Sequence, residues 1–264
     1  MSGSPKRKHR RDDFNESVEE AAQRNAARNG RKAEQLLVQY IQNHEESTAW
    51  IVDEINEHPY SSTGAKLKAG MEKPDVVLYE TQSLKDYGLI SLKCCVDFQK
   101  GFNQIKRSSI KNFGVEFDVP DSIQVILRRY SFGRKKLTLT GRNYTQDELD
   151  ELKTFLNSRR KALLLSAFTG QAKKSKANWL LLHQWTPPNW ERNVAKKQRS
   201  ELISMLEVMQ IFDGLPVGYT RQGTITFGAG ITLQRKGGDN GKDTANDLQF
   251  KMRTWPFLKA LGRR

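Results

Sequence analysis

The stretch KPDVVLYETQSLKDYGLISLKCCV, residues 73–96, holds two short apolar segments, Val76–Tyr79 and Leu89–Val96, separated by the polar run Glu80–Gly88. Short, partly β-branched segments bounded by turn-forming residues read as two strands of a hairpin. Asp75 stands immediately before the first strand and Lys93 lies within the second. Side chains two apart on a strand share a face, so Ser91 and Lys93 point the same way. Lys73-Pro74-Asp75 followed by Ser91-Leu92-Lys93 is therefore an acid on one strand facing a lysine on the next, the pattern PD, a spacer, then x-x-K.

That pattern suits phosphodiester chemistry with Mg²⁺, which takes hard oxygen ligands in near-octahedral geometry while keeping waters and a substrate phosphate. Asp75 supplies a carboxylate and Leu92 a backbone carbonyl. The Lys93 ammonium can orient an attacking water and offset charge that builds on the phosphorus. Acids before strands and lysines within them are common, so the pattern carries little alone. It also departs from its usual form: Ser91 stands where Glu or Asp is usual, and a neutral hydroxyl is a poor metal ligand. Either one metal suffices, or a second carboxylate comes from elsewhere. Glu34, in Gly30-x-x-x-Glu34 ahead of the strand pair, is the candidate; the equal alternative is a solvated helix carboxylate.

Working outward, Glu19–Gln42 is rich in Ala, Glu, Gln and Arg, and Ala33, Leu36, Leu37, Tyr40 and Ile41 recur at helical spacing. A turn-rich stretch surrounds His58-Pro59-Tyr60-Ser61-Ser62. Ile123–Tyr130 (IQVILRRY) is apolar and β-branched and reads as a further strand. Thr145-Gln146-Asp147-Glu148 opens a helix through a capping box, expected to run past Phe155 towards Leu165. Asn178–Gln184 (NWLLLHQ) reads as a buried strand ended by Pro187-Pro188. Lys197–Phe212 reads as an amphipathic helix stopped near Gly214 and Pro216. Gly223–Leu233 alternates like a hairpin, Arg235–Gly241 is a Gly-rich loop, and Leu248–Met252 is a terminal strand. The expected fold class is α/β, a mixed central sheet flanked by helices.

The 264 residues carry 44 Lys and Arg against 30 Asp and Glu, a formal charge of +14 spread along the whole chain. An electropositive body gathers polyanions, so nucleic acid leads the expected partners. Cys94 and Cys95 are the sole cysteines; neighbours without further ligands make neither a disulfide framework nor a zinc site, and both read as reduced. No apolar stretch has the length of a membrane span, and the basic run Met1–Asp13 precedes no apolar region. The expected location is cytoplasmic, with residues 1–16 a flexible, solvated basic arm and residues 17–264 a single domain: a catalytic core over about 17–130 and a recognition portion over about 215–255.

Lys100-Gly101-Phe102-Asn103-Gln104-Ile105 and the C-terminal series Thr226-Phe227-Gly228, Gln234-Arg235-Lys236-Gly237-Gly238-Asp239-Asn240-Gly241, Thr244-Ala245-Asn246 and Leu248-Gln249-Phe250-Lys251 resemble the HinP-type, MspI-related restriction endonucleases. Weaker collinear similarity, Phe168-Thr169-Gly170 included, runs from Gly30 to Lys251. The resemblance implies a PD-(D/E)XK nuclease core that cuts each strand of a four-base-pair GC-rich palindrome, GCGC, leaving a short 5′ overhang. Asp75 and Lys93 match the family's acid and lysine, and an uncharged polar residue at Ser91 is within its tolerance. Gln104, beside Asn103, matches a glutamine inserted into the base stack from the minor groove, a known route to a kinked duplex. The implied partners are double-stranded DNA and, as a separate protein, a cognate DNA methyltransferase in a bacterial cytoplasm; a homodimer is left open.

The C-terminal block reads the same way on chemistry alone. Gln234, Arg235, Lys236, Asp239 and Asn240 concentrate side chains able to meet base edges, Arg or Lys at guanine O6 and N7 and Asp at a cytosine amino group, each good pair discriminating by about 1–3 kcal/mol. Lys242, Lys251 and Arg253 are more ordinary phosphate contacts that bind without reading sequence. His183, in an apolar strand with no acid in view, reads as a core histidine, and Trp179, Trp185 and Trp190 as core aromatics. A nuclease of the same core with another site or a nicking activity, and a DNA-binding protein lacking turnover, are the alternatives. A methyltransferase is disfavoured because no Gly-rich cofactor loop follows a first strand.

Overall fold

The computed structural model describes residues 30–68, 73–95, 97–131, 143–170, 176–184, 191, 194–235 and 247–263. Within them lie two five-stranded sheets. The first has the order β1 (Thr63–Leu67), β2 (Val76–Glu80), β3 (Asp86–Cys95), β5 (Trp179–Gln184), β6 (Ser200–Ser204). Its strands pair antiparallel except β3 with β5, which run parallel. The sheet is thus mixed, and β2 and β3 form the hairpin read from residues 73–96, with a shorter loop. The second sheet, β4 (Phe102–Ser109), β10 (Asp247–Arg253), β9 (Ile231–Arg235), β8 (Ile225–Gly228), β7 (Gly218–Tyr219), is antiparallel throughout.

Alternation along β5 shows how the first sheet is covered on both faces. Leu180 and Leu182 enter one apolar cluster, Leu181 the other. On Leu181's side, Leu78, Ile90 and Leu92 meet Ala33, Leu37 and Ile41 of a helix (α1, described over residues 30–42) and Ile51 and Val52 of α2 (Glu46–Ile55). On the other side the cluster continues through Ile105, Phe227 and Phe250 of the second sheet and through α3 (Ile110–Phe117), α4 (Asp121–Ser131), α5 (Gln146–Ser158), α6 (Arg160–Thr169), α7 (Met205–Gln210) and α8 (Thr254–Ala260).

Three expectations are corrected. Ile123–Tyr130 is not a strand but the body of α4. Ile123, Ile126, Leu127 and Tyr130 fall at i, i+3, i+4 and i+7 and are all buried, whereas a period of two would have put Ile126 on one face with Gln124 and Arg128. Asp121 in its first turn and Arg128 and Arg129 in its last complement the helix dipole. Lys197–Phe212 is not one helix either. Ser200–Ser204 pairs with β5, covering an edge that would otherwise expose its backbone groups, and Ser204 then caps α7 through a capping box with Glu207. The helix opened by the Thr145–Glu148 capping box stops at Ser158; Arg159, at φ −102° and ψ 3°, interrupts it before α6. Pro187-Pro188 and the span 236–241 lie outside the described residues.

Candidate active site

Asp75 sits at the start of β2, its backbone N–H donating to the Ile90 carbonyl at 2.9 Å. This places the carboxylate beside the middle of β3. Its Oδ2 accepts from the Leu92 backbone N–H at 2.7 Å, the Ser91 hydroxyl at 3.1 Å and Lys93 Nζ at 3.2 Å. Lys93 Nζ also donates to the Leu92 carbonyl at 2.8 Å. Two oxygens, one carboxylate and one carbonyl, therefore converge on one positive centre. Ser91 is 0 % exposed and spends its hydroxyl on Asp75, so it orients the acid and takes no place at the surface of the site.

Glu34, half-buried on α1, joins this group electrostatically. Burial is the main cause of its carboxyl being pushed up to about 7; the Asp75 charge acts in the same direction, and Lys93 and Arg31 oppose it. A carboxyl whose ionisation is disfavoured by burial and by a neighbouring negative charge is what a bound cation would relieve. Among the described residues no group of three or more His, Cys, Asp and Glu side chains could hold a metal. The available donors, Asp75, the Leu92 carbonyl and Glu34, are hard oxygens and few. They fit an ion that keeps most of its shell as water and phosphate oxygen, as Mg²⁺ does, and not one needing a full protein cage.

Lys73 was not singled out by the sequence. Burial pushes its amine well below the ordinary lysine range, with Lys93 a further cause, and Nζ donates to the Ala167 and Phe168 carbonyls at 2.8 Å each. Only the tertiary fold brings residue 73 to residue 167.

β4 begins where Gly101 is obligatory: a Cβ there would come within 2.3 Å of the Asp97 carbonyl oxygen and crowd Cys95. Asn103, expected at a DNA surface, is instead turned inward, 6 % exposed, with its amide donating to Thr254 Oγ1 at 3.3 Å. It fastens β4 to α8 and leaves Gln104 exposed. The β4–β10 register shifts between Phe250 and Lys251, so Ile105 has no partner opposite it. This bulge puts Gln104 and Arg107, three apart, on one face. Across the sheet Gln104, Lys251, Thr232 and Thr226 form one cross-strand row and Arg107, Gln249 and Gln234 another. The Gln234 amide donates to Thr232 Oγ1 at 2.8 Å, along the same face. Leu233, Phe250 and Phe227 fill the opposite face. Gln249, in the middle of its row, is 5 % exposed and works as a buried link between strands; sequence reading missed Arg107 and Thr232, and the bulge hid Arg107. Arg235 ends β9, half-buried, and Lys236, Asp239 and Asn240 lie outside the described residues.

His183 is fully buried, with Nδ1 2.9 Å from Ser200 Oγ, which makes it a core residue as read. Cys94 and Cys95 are free, and burial pushes their thiols up to about 12 and about 11.

Residues 68–257 match the model of the R.HinP1I restriction endonuclease family. The chain belongs to the R.HinP1I restriction endonuclease family. It is accordingly a site-specific deoxyribonuclease. Among solved structures it resembles restriction endonuclease MspI in complex with its cognate DNA, with a TM-score of 0.51 and 13 % identity over 76 % of this chain and 75 % of that one. At that identity the likeness speaks for the fold, the PD-(D/E)XK architecture, alone. No curated protein matches in sequence. Among the described residues no helix is long and apolar enough to cross a membrane.

Proposed function

We propose that this endonuclease hydrolyses both strands of double-stranded DNA at a short GC-rich palindrome, GCGC, in a Mg²⁺-dependent reaction that leaves a 5′ overhang. The convergence of Asp75 Oδ2 and the Leu92 carbonyl on one positive centre beside Lys93 carries the reading. Bound there, Mg²⁺ would supply Lewis acidity at the scissile phosphate and a more acidic water. Asp75 and the Leu92 carbonyl would hold it, with Glu34 as the second carboxylate. Ser91 keeps the Asp75 carboxylate pointed through its hydroxyl. Lys93, drawn between the two oxygens, hydrogen-bonds the attacking water and offsets negative charge on the phosphorus.

Recognition falls to the polar face of the second sheet and to the residues that follow Arg235 in sequence. Gln104, exposed at the edge strand, enters the minor groove and unstacks a base step. Gln234, Arg235, Lys236, Asp239 and Asn240 read base edges, Lys251 contacts phosphate, and Asn103 supports Gln104 from beneath. The likeness to MspI, solved in complex with its cognate DNA, supports a duplex as ligand. Residues 17–264 act as one endonuclease unit in a bacterial cytoplasm, beside a separate methyltransferase that protects the host site.

The test is incubation of the full chain with long, unmethylated DNA of known sequence in Mg²⁺ and in EDTA, followed by sequencing of the fragment ends. Discrete Mg²⁺-dependent ends at GCGC are expected. Ends at another tetranucleotide would keep the chemistry and replace the site, and DNA bound but intact would favour binding without turnover.

A further inference from the structure

We propose that Lys73 is a positioning residue for the Asp75 carboxylate, seated in the C-terminus of α6. The inference rests on the function proposed above. A helix leaves its last four carbonyls without partners of its own, and in α6 each is accounted for. Ser166 O accepts from the Gly170 N–H at 3.1 Å, Thr169 O from the Ala177 N–H at 3.2 Å, and the two between, Ala167 O and Phe168 O, from Lys73 Nζ at 2.8 Å. Charged or neutral, the amine has the two N–H groups this requires, and a cation there also meets the negative end of the helix dipole.

The socket is shaped for this side chain. Gly170 follows α6 at φ +87°, and a Cβ on it would lie 3.1 Å from Lys73 Cβ. Ahead of Asp75 the chain has left the sheet: Asp75 N–H to Ile90 O, at 2.9 Å, is the bond with which β2 opens. Lys73, two residues earlier, fixes that entry from the other side. The same helix is held to β4 one step earlier, where Lys106 Nζ reaches Glu116 at 2.6 Å and Ser166 Oγ at 2.5 Å. α6 therefore touches both the segment that carries the catalytic acid and the strand that carries Gln104. Asn178, just beyond, ties β5 to β3 by accepting the Leu89 N–H at 2.7 Å, so the lysine strand is referenced to the same frame.

The experiment compares wild type, Lys73→Met, Lys73→Arg, Gly170→Ala and Asp75→Ala as full chains. Three things are measured: single-turnover cleavage across a Mg²⁺ series at saturating DNA, affinity for specific DNA in EDTA, and melting temperature. For Lys73→Met the expected result is a rate about 10- to 100-fold lower and a higher half-saturating Mg²⁺ concentration. Affinity for DNA in EDTA should stay within about twofold of wild type, because the socket faces the acid and not the duplex. Lys73→Arg, which restores donors to the two carbonyls, should recover much of the rate. Unchanged cleavage and Mg²⁺ dependence in Lys73→Met would overturn the inference, as would a rate loss matched by an equal loss of DNA binding. Should Lys73→Met fail to fold, Gly170→Ala decides: a raised Mg²⁺ requirement supports the positioning role and an unaltered one refutes it. A wild type that does not cut would sink the proposed function itself, whereas a cutting wild type beside an inactive Asp75→Ala and an unimpaired Lys73→Met would sink this inference alone.

Discussion

At the scale of single residues the site is decided by what surrounds one oxygen. Asp75 Oδ2 takes three donors, and the one that replaces the usual acid, Ser91, contributes a hydrogen bond where the pattern would put a charge. The second carboxylate, Glu34, is held up at about 7 from 4.5, chiefly by burial. A carboxyl raised on folding binds its proton more tightly in the native state, so the stability it contributes is present at low pH and is lost as pH climbs from about 4.5 through about 7. Glu34→Gln has no such titration. In EDTA its melting temperature relative to wild type should rise across that window and level off above it; a difference independent of pH would show that Glu34 is an ordinary solvated acid. Asp75 and Lys93 were legible because motif spacing and strand period place them side by side; Glu34 was one of two equal readings, and only the fold brings it under the influence of Asp75 and Lys93. Lys73 and the inward turn of Asn103 were not, since their partners, Ala167, Phe168 and Thr254, are distant in sequence.

At the scale of elements, the apolar code was readable where one period ruled. The 73–96 hairpin, the buried β5, the β8–β9 hairpin and the α5 capping box all appear as expected. α4 went astray because β-branched residues suggest a strand while their spacing is helical. β4 escaped notice because its bulge breaks the alternation and one inward-facing position is a lysine, Lys106, half-buried against Glu116. Truncating Ile126 to Ala should cost about 2–5 kcal/mol in denaturant unfolding, since it removes a fully packed side chain from the helix face; a negligible change would return the segment to the surface of the fold. His183 offers a separate check on β5. Burial pushes it down to about 4 from 6.5, so its proton binds more tightly to the unfolded chain, and the stability it gives is complete above about 6.5 and drains away as pH falls towards 4. His183→Gln should flatten melting temperature over that interval, and an unchanged slope would place the histidine in solvent.

At the scale of the molecule, one sheet carries Asp75 and Lys93 and the other a polar face, Gln104 to Thr226 and Arg107 to Gln234, which the proposed function assigns to the duplex. The charge of +14 makes that encounter electrostatic. Between 50 and 200 mM salt, binding should weaken by about 10³- to 10⁵-fold if some 6–10 phosphates are contacted; a nearly flat salt dependence in a titration would remove phosphate contacts as the main source of affinity. Charge announced the class of partner from the sequence alone. The face proposed to meet it depended on cross-strand register, which composition does not contain.

The most direct measurement is single-turnover cleavage by Lys93→Ala beside its affinity for the same unmethylated duplex. With Lys93 drawn onto Asp75 and the Leu92 carbonyl, the account predicts that cutting disappears while specific binding stays close to wild type. Cutting that survives the substitution would contradict it, and so would cutting and binding lost together, which would make the lysine a structural residue and move the catalytic centre elsewhere.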